Sequence, residues 1–297
     1  MRNKTLYFLM FFFGLTAIIS CSSDDNDDTK SLTLNITGLE DLGSDFIYEN
    51  WIIVDGTPVS TGTFSVNTSG ELSKTSFSAN TNQLASATAY VLTIEPHPDN
   101  DVAPSSVHIL AGSFASGATS ATVSTNHDSA LKTDFTGAIG NYILATPTNG
   151  PNTNEKSGVW WLDPTTSPGP SAGLTLPALP IGWKYEGWAV IGTTPVSTGK
   201  FTTASGVDAS DTFSGTMEGP PFPGEDFLMA APSGLTFPTD LSGHKVVISV
   251  EPDPDNSPNP FLLKPLVATV PDNAMDHNLL SMGNNAAASN PSGSVQR

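Results

Sequence analysis

Residues 48–64 read YENWIIVDGTPVSTGTF and residues 185–201 read YEGWAVIGTTPVSTGKF; ten of these seventeen positions are identical without a gap. Further on, residues 94–100 read IEPHPDN and residues 250–256 read VEPDPDN, again in the same order. A duplication limits the fold more than any single motif does. Whatever one copy folds into, the other must fold into as well, and each needs a buried face. The copies lie near residues 31–125 and 157–272.

Each copy reads as β-structure. Phe46 to Val54 is a run of aromatic and β-branched residues, followed by Asp55-Gly56, a pair suited to a hairpin turn whose central positions need φ > 0. Pro58 opens the returning strand, where its missing N–H does least harm. The second copy repeats the hairpin with Gly192-Thr193 at its turn. Side chains alternate between faces along a strand, so Trp51 and Ile53 share one face and Ile52 and Val54 the other. Apolar residues on both faces predict a strand inside a packed structure, with Trp51 and Trp188 as core residues rather than ligand platforms. AYVLTI (89–94) and KVVISV (245–250) are the next strands, each ended by Glu-Pro. GNYILAT (140–146) and SGVWWL (157–162) predict a second hairpin between the copies. No stretch keeps a 3.6-residue apolar period for three turns, so little helix is expected. The expected fold is all-β, with two similar antiparallel β-sandwich-like domains: 31–130 for the first copy, and 131–272 for the second with the central hairpin. From 273 to 297 the chain turns small and polar and is expected to be disordered.

The first twenty residues read as an export signal. Arg2 and Lys4 precede the apolar run LYFLMFFFGLTAII, which ends in Ile18-Ile19-Ser20-Cys21. A small residue before a cysteine, after branched apolar residues, is the bacterial lipobox: the peptidase needs the small residue and the thiol receives the diacylglycerol. Cys21 is the only cysteine of the chain, so no disulfide competes for it. Residues 21–30 contain SSDDNDD, an acidic tether that cannot bury itself. This run resembles the sorting signal of surface-displayed lipoproteins in some Gram-negative bacteria. The expectation is therefore a bacterial, extracytoplasmic lipoprotein of the outer membrane or cell surface, held to the membrane by its lipid.

Removing residues 1–20 leaves 277 of the 297 residues, and losing Arg2 and Lys4 takes the formal net charge from −18 to −20. A body this acidic repels nucleic acid, which is not expected as a partner.

Tyr-x-x-Trp, a short turn, Pro-Val-Ser-x-Gly-x-Phe, then a strand ending in Glu-Pro, resembles the extracytoplasmic C-terminal domain of the anti-sigma-K factor family. The matching residues are Tyr48, Trp51, Pro58, Val59, Ser60, Gly62, Phe64, Glu95 and Pro96, and Tyr185, Trp188, Pro195, Val196, Ser197, Gly199, Phe201, Glu251 and Pro252. The resemblance implies an extracytoplasmic β module of the sensing or docking type. It does not imply direct contact with a sigma factor, because an exported chain does not meet one and the cytoplasmic arm of that family is missing.

Catalytic patterns are weak. Gly169-Pro170-Ser171-Ala172-Gly173 matches the nucleophile elbow, but that motif works only on a strand–turn–helix, and here it sits among prolines. His97, His108, His127, His244 and His277 show no metal-ligand spacing and no matching positions in the two copies. Asp99-Asn100-Asp101 and Asp253-Pro254-Asp255-Asn256 offer oxygen ligands of the kind Ca²⁺ favours. A calcium-hand loop is excluded, because counting from Asp253 its sixth and twelfth positions are Pro258 and Lys264. Glu95 and Glu251, kept at strand ends, are expected to accept backbone N–H bonds from the following loop. The reading is thus a protein without catalytic residues, metal or cofactor, acting as an envelope interaction or sensory module toward an unidentified envelope protein or surface component. The alternatives are an accessory regulator of an envelope sigma-factor circuit acting through a membrane partner, and an envelope glycan hydrolase with two carboxylates drawn from distant loops.

Overall fold

The structure, a computed structural model, describes residues 28–255 and 257–297. The predicted signal (1–20), Cys21 and the tether as far as Asp27 lie outside the described residues. Thr29 and Lys30, expected in the tether, instead belong to the first strand and pair with Asn80 and Ala79.

The protein is nearly all β, with 41% strand and 6% helix, in two antiparallel sheets. The first sheet draws on β1 (Thr29–Thr37), β2 (Phe46–Val54), β3 (Thr57–Phe64), β4 (Ser76–Asn80), β5 (Ala89–Pro96), β6 (His108–Ser113) and β7 (Ser120–Ser124). The second draws on β8 (Ile139–Leu144), β9 (Gly158–Trp160), β12 (Leu174–Thr175), β13 (Trp183–Ile191), β14 (Thr194–Phe201), β15 (Gly224–Asp226), β16 (Lys245–Pro252), β17 (Leu266–Thr269) and β18 (Leu280–Asn284). Between them β10 (Leu162–Asp163) and β11 (Ser171–Ala172) form a two-stranded ribbon, and β19 (Ser292–Gln296) ends the chain.

Strand order is β3-β2-β5-β6-β7-β19-β1-β4 in the first sheet and β14-β13-β16-β17-β18-β8-β9-β15 in the second, with β12 on β8. In each sheet the two end strands approach one another, so each sheet curls until it is nearly closed. Closing the edges leaves few unpaired backbone groups for other chains to join.

The tail from residue 273 corrects the expectation of disorder. It forms β18, a helical turn at Ala286–Ser289, and then β19, which inserts between β1 and β7 of the first sheet. The second unit is therefore an insertion within the first, and the two ends of the described chain are neighbours. Small residues make this possible. A Cβ at Gly293 would lie 2.1 Å from the Asn35 carbonyl oxygen, while Val295 next to it is buried. Arg297 locks the end: its guanidinium donates to the carbonyls of Leu84, Ala87 and Ala118 and lies 4.3 Å over the Phe114 ring.

The turns follow their sequences. Asp55 and Gly56 have φ of 50° and 78°, while Gly192 has 64°, which a turn needing positive φ at its first central position requires. One apolar cluster runs through both units, from Leu32, Tyr48 and Phe77 to Tyr185, Phe227 and Leu263. The copies thus share a core. Their close approach is fixed at Gly182, where a Cβ would lie 2.7 Å from the Ser106 carbonyl oxygen.

Candidate functional site

The repeated motif resolves into one set of bonds made twice. Tyr48 stacks on Phe64 and donates to the carbonyl of Glu40; Tyr185 stacks on Phe201 and donates to that of Pro177. Ser60 donates to Glu49, and Ser197 to Glu186. Trp51 Nε1 donates to Thr93 Oγ1 at 2.9 Å, and Trp188 Nε1 to Ser249 Oγ at 2.8 Å. Glu95 accepts from Ser105 N and Glu251 from Phe261 N, both at 2.9 Å. A bulge precedes each tryptophan, and Gly62 and Gly199 sit opposite it with φ of 118° and 125°. Each of these groups spends at least one polar atom or ring face on holding two hairpin strands and a loop together. As expected, both tryptophans are core, and Glu95 and Glu251 bind loop backbone.

Specific function must then lie where the copies differ. The largest difference is the excursion between β14 and β16, residues 202–244, against 65–88 in the first copy. Part of it returns as β15, which pairs with β9 of the central hairpin. The fold this makes encloses a cavity of about 580 Å³. Trp160 and Phe222 supply aromatic surface, Thr148 and Met217 border it, and Asp208, Asp211 and Glu218 are its charged residues; no Lys, Arg or His lines it.

Buried carboxyls hold the cavity wall. Asp226 accepts from Trp160 Nε1 at 2.7 Å and from Thr148 N at 2.8 Å. Glu225 accepts from the Ser214 hydroxyl. Asp208 accepts from Gly224 N at 2.9 Å and Ser210 N at 3.2 Å. Burial pushes Asp208 and Glu225 up to about 7, and raises Asp226 against the pull of the Thr148 and Trp160 hydrogen bonds. Such carboxyls can accept hydrogen bonds or meet a cation; their oxygens are already engaged by the wall they build.

The second unit holds a second acidic constellation. Glu186 on β13, Glu251 ending β16 and Asp255 in the following loop converge, with Lys200 Nζ 2.9 Å from Asp255 Oδ2 and 4.0 Å from Glu186 Oε2. Burial pushes Glu251 up to about 8 and raises Glu186. Asp255 also borders a cleft of about 410 Å³ between the units, facing Glu40, Asp45 and Phe46 of the first. Burial pushes Glu40 up to about 7, opposed by Lys264, whose own pKa burial lowers.

The other sequence-singled residues stay apart. Ser171 lies on β11, not at a strand–helix turn. His108 bonds the Ser129 carbonyl, His127 the Ser113 hydroxyl, and His244 the Gly192 amide. Asp253 pairs with Lys184 at 2.9 Å, leaving only Asp255 of its loop to join the carboxylate group. Sequence reasoning missed Glu49 and Glu186 as bonded pairs, although their identity within the repeat signalled them. It missed Asp208, Glu225 and Asp226 because their partners are remote in the chain. Comparison with protein-family models, with curated proteins and with solved structures found no match.

Proposed function

We propose that this chain is a lipid-anchored, non-catalytic binding module of the bacterial cell envelope. In this reading its first unit is the support and its second unit holds the ligand. The observation that carries it is the cavity on the 202–244 excursion: acidic, base-free, part-aromatic, and built on the one long segment that the first copy lacks. Its walls offer acceptors and negative charge, so the matching group is cationic or rich in hydrogen-bond donors, as on a basic side chain or an amine-bearing component of the envelope. The duplicated module resembling the anti-sigma-K extracytoplasmic domain supports a docking or sensing role. With the lipid on Cys21, the eight residues to Thr29 reach at most roughly 28 Å, which keeps the module close to the membrane. Regulation of a sigma-factor circuit then runs through a membrane-spanning partner.

Capture from intact cells with crosslinking tests this. Met217 is 55% exposed at the cavity, so Met217→Arg fills it with the wrong charge while sparing the core. Wild type should recover an envelope component that Met217→Arg loses. Equal recovery by both rejects the cavity as the site, and no recovery by either rejects the module. Release of reducing ends from envelope glycans by the wild-type chain would favour hydrolysis instead.

A further inference from the structure

In the second unit one carboxylate oxygen from each of Glu186, Glu251 and Asp255 lies within 4.8 Å of the other two. Carboxylate oxygens this close can share one hard divalent cation, and a set drawn wholly from protein carboxylates suits Ca²⁺ better than Mg²⁺, which usually keeps several waters. Two of the three residues are sealed from water, Glu251 wholly and Glu186 at 5% exposure. Glu186 Oε1 accepts from Ser197, and Glu251 Oε1 accepts from Ser249 and Phe261 N. The remaining oxygens, Oε2 of both glutamates, are buried without any hydrogen-bond partner. Buried charged acceptors left in this way are costly.

The charges facing this group come from every side. Lys200 on β14 touches Asp255 and approaches Glu186, and Lys264, held by the Phe261 carbonyl, acts on Glu251 from the following loop. Glu40 of the first unit adds negative charge near Asp255 and Lys264. Lys264 is thus divided between Glu40 and Glu251, and three carboxylates share one close ammonium.

We propose that Glu186, Glu251 and Asp255 form a divalent-cation site with the hard-oxygen chemistry that Ca²⁺ favours. The cation takes the two partnerless Oε2 atoms and competes with Lys200 for Asp255. It joins β13, the end of β16 and the loop that walls the cleft between the units. The first copy is an internal control. Glu49, Glu95 and Asp99 hold the matching positions, yet among the described residues the three-carboxylate group forms only in the second unit. Glu95 there turns both oxygens to Ser105 N.

The test is Ca²⁺ titration of the full chain by calorimetry at pH 7.5, with Tb³⁺ luminescence excited through tryptophan, since Trp188 reaches Glu251 through Ser249. One saturable site is expected, with a raised Tm. Asp255→Asn and Glu251→Gln should each weaken binding at least tenfold, and Lys200→Met should strengthen it severalfold. Asp99→Asn and Met217→Arg should leave it unchanged. Should Glu251→Gln fail to fold, Asp255→Asn and Lys200→Met read the same site. No binding at millimolar Ca²⁺, or equal binding by wild type and Asp255→Asn, overturns the proposal. So does stabilisation by acid alone with no Ca²⁺ effect at pH 8, because the two glutamates would then share a proton.

Discussion

In the first unit, buried Asn50 on β2 donates to the Gly62 carbonyl and accepts from Tyr90 on β5. In the second, Gly187 and Val246 stand at those positions, and the Trp161 ring comes in instead, so close that a Cβ on Gly187 would lie 2.4 Å from it. A polar pair has been exchanged for an aromatic plug supplied by the central hairpin. The same drift recurs at position 63, Thr in the first copy, where the second has Lys200 reaching Asp255 and Glu186. It recurs again in the excursion after the hairpin, short in one unit and cavity-forming in the other. The copies kept the tyrosine stacking, the serine–glutamate and tryptophan bonds and the loop-binding glutamates, and diverged where the chain could reach a new partner. Duplication frees one copy in this way, because the shared core already supplies the stability.

The comparison can be broken most severely at β19. Deleting 291–297 removes the strand between β7 and β1 and opens the first sheet, while the second keeps all its strands. The expected result is loss of the first unit's cooperative melting, on the order of the ~5–15 kcal/mol of a whole domain, with hydrogen exchange rising in β1 and β7 before β13 and β16.

A smaller asymmetry should appear at the paired bulge glycines. Both adopt positive φ, but a Cβ on Gly199 would lie 2.7 Å from the Asp208 carboxylate, whereas on Gly62 it would lie 3.3 Å from the movable Phe77 ring. Gly199→Ala should cost about 3 kcal/mol and Gly62→Ala about 1–2 kcal/mol in urea unfolding. Equal costs would mean that Asp208 yields as readily as Phe77.

Next in size is the exchange of position 63 for position 200. Lys200→Thr leaves buried carboxylates without their ammonium and should cost about 1–2 kcal/mol after allowing for partial exposure of the lysine. The reverse change, Thr63→Lys, should move stability by less than about 0.5 kcal/mol.

The mildest effect is in pH. Asp208 and Glu225 have folded-state pKa values raised to about 7, above the ordinary carboxylate range of the unfolded chain. Their folded state binds protons more tightly, so their contribution to stability is full below pH ~4 and is lost as pH rises toward 7. Tm should therefore fall between pH 5 and pH 8, and Asp208→Asn should flatten that fall by removing one of the titrating groups.

The loop-binding contacts were legible in the chain, because they span short separations: Glu95 to Ser105 and Glu251 to Phe261 are each ten residues apart. Turn glycines and strand-ending prolines follow from the same short-range chemistry. The cavity was not legible. Asp226 meets Thr148 and Trp160 across 78 and 66 residues, and nothing in a Gly- and Pro-rich stretch announces partners so remote. Nor was β19: SGSVQ carries a single large apolar side chain, and its smallness reads as disorder until the neighbouring backbones that demand it are known.

The sequence by itself determined the β class, the duplication, the hairpins and the loop-binding glutamates, because those rest on alternation, turn chemistry and contacts between nearby residues. The tertiary structure alone decided that the second unit is inserted within the first, that the tail closes the first sheet, and that carboxylates from separate strands meet. Those outcomes depend on which strands become neighbours when the sheets close, and closure is a property of the whole chain.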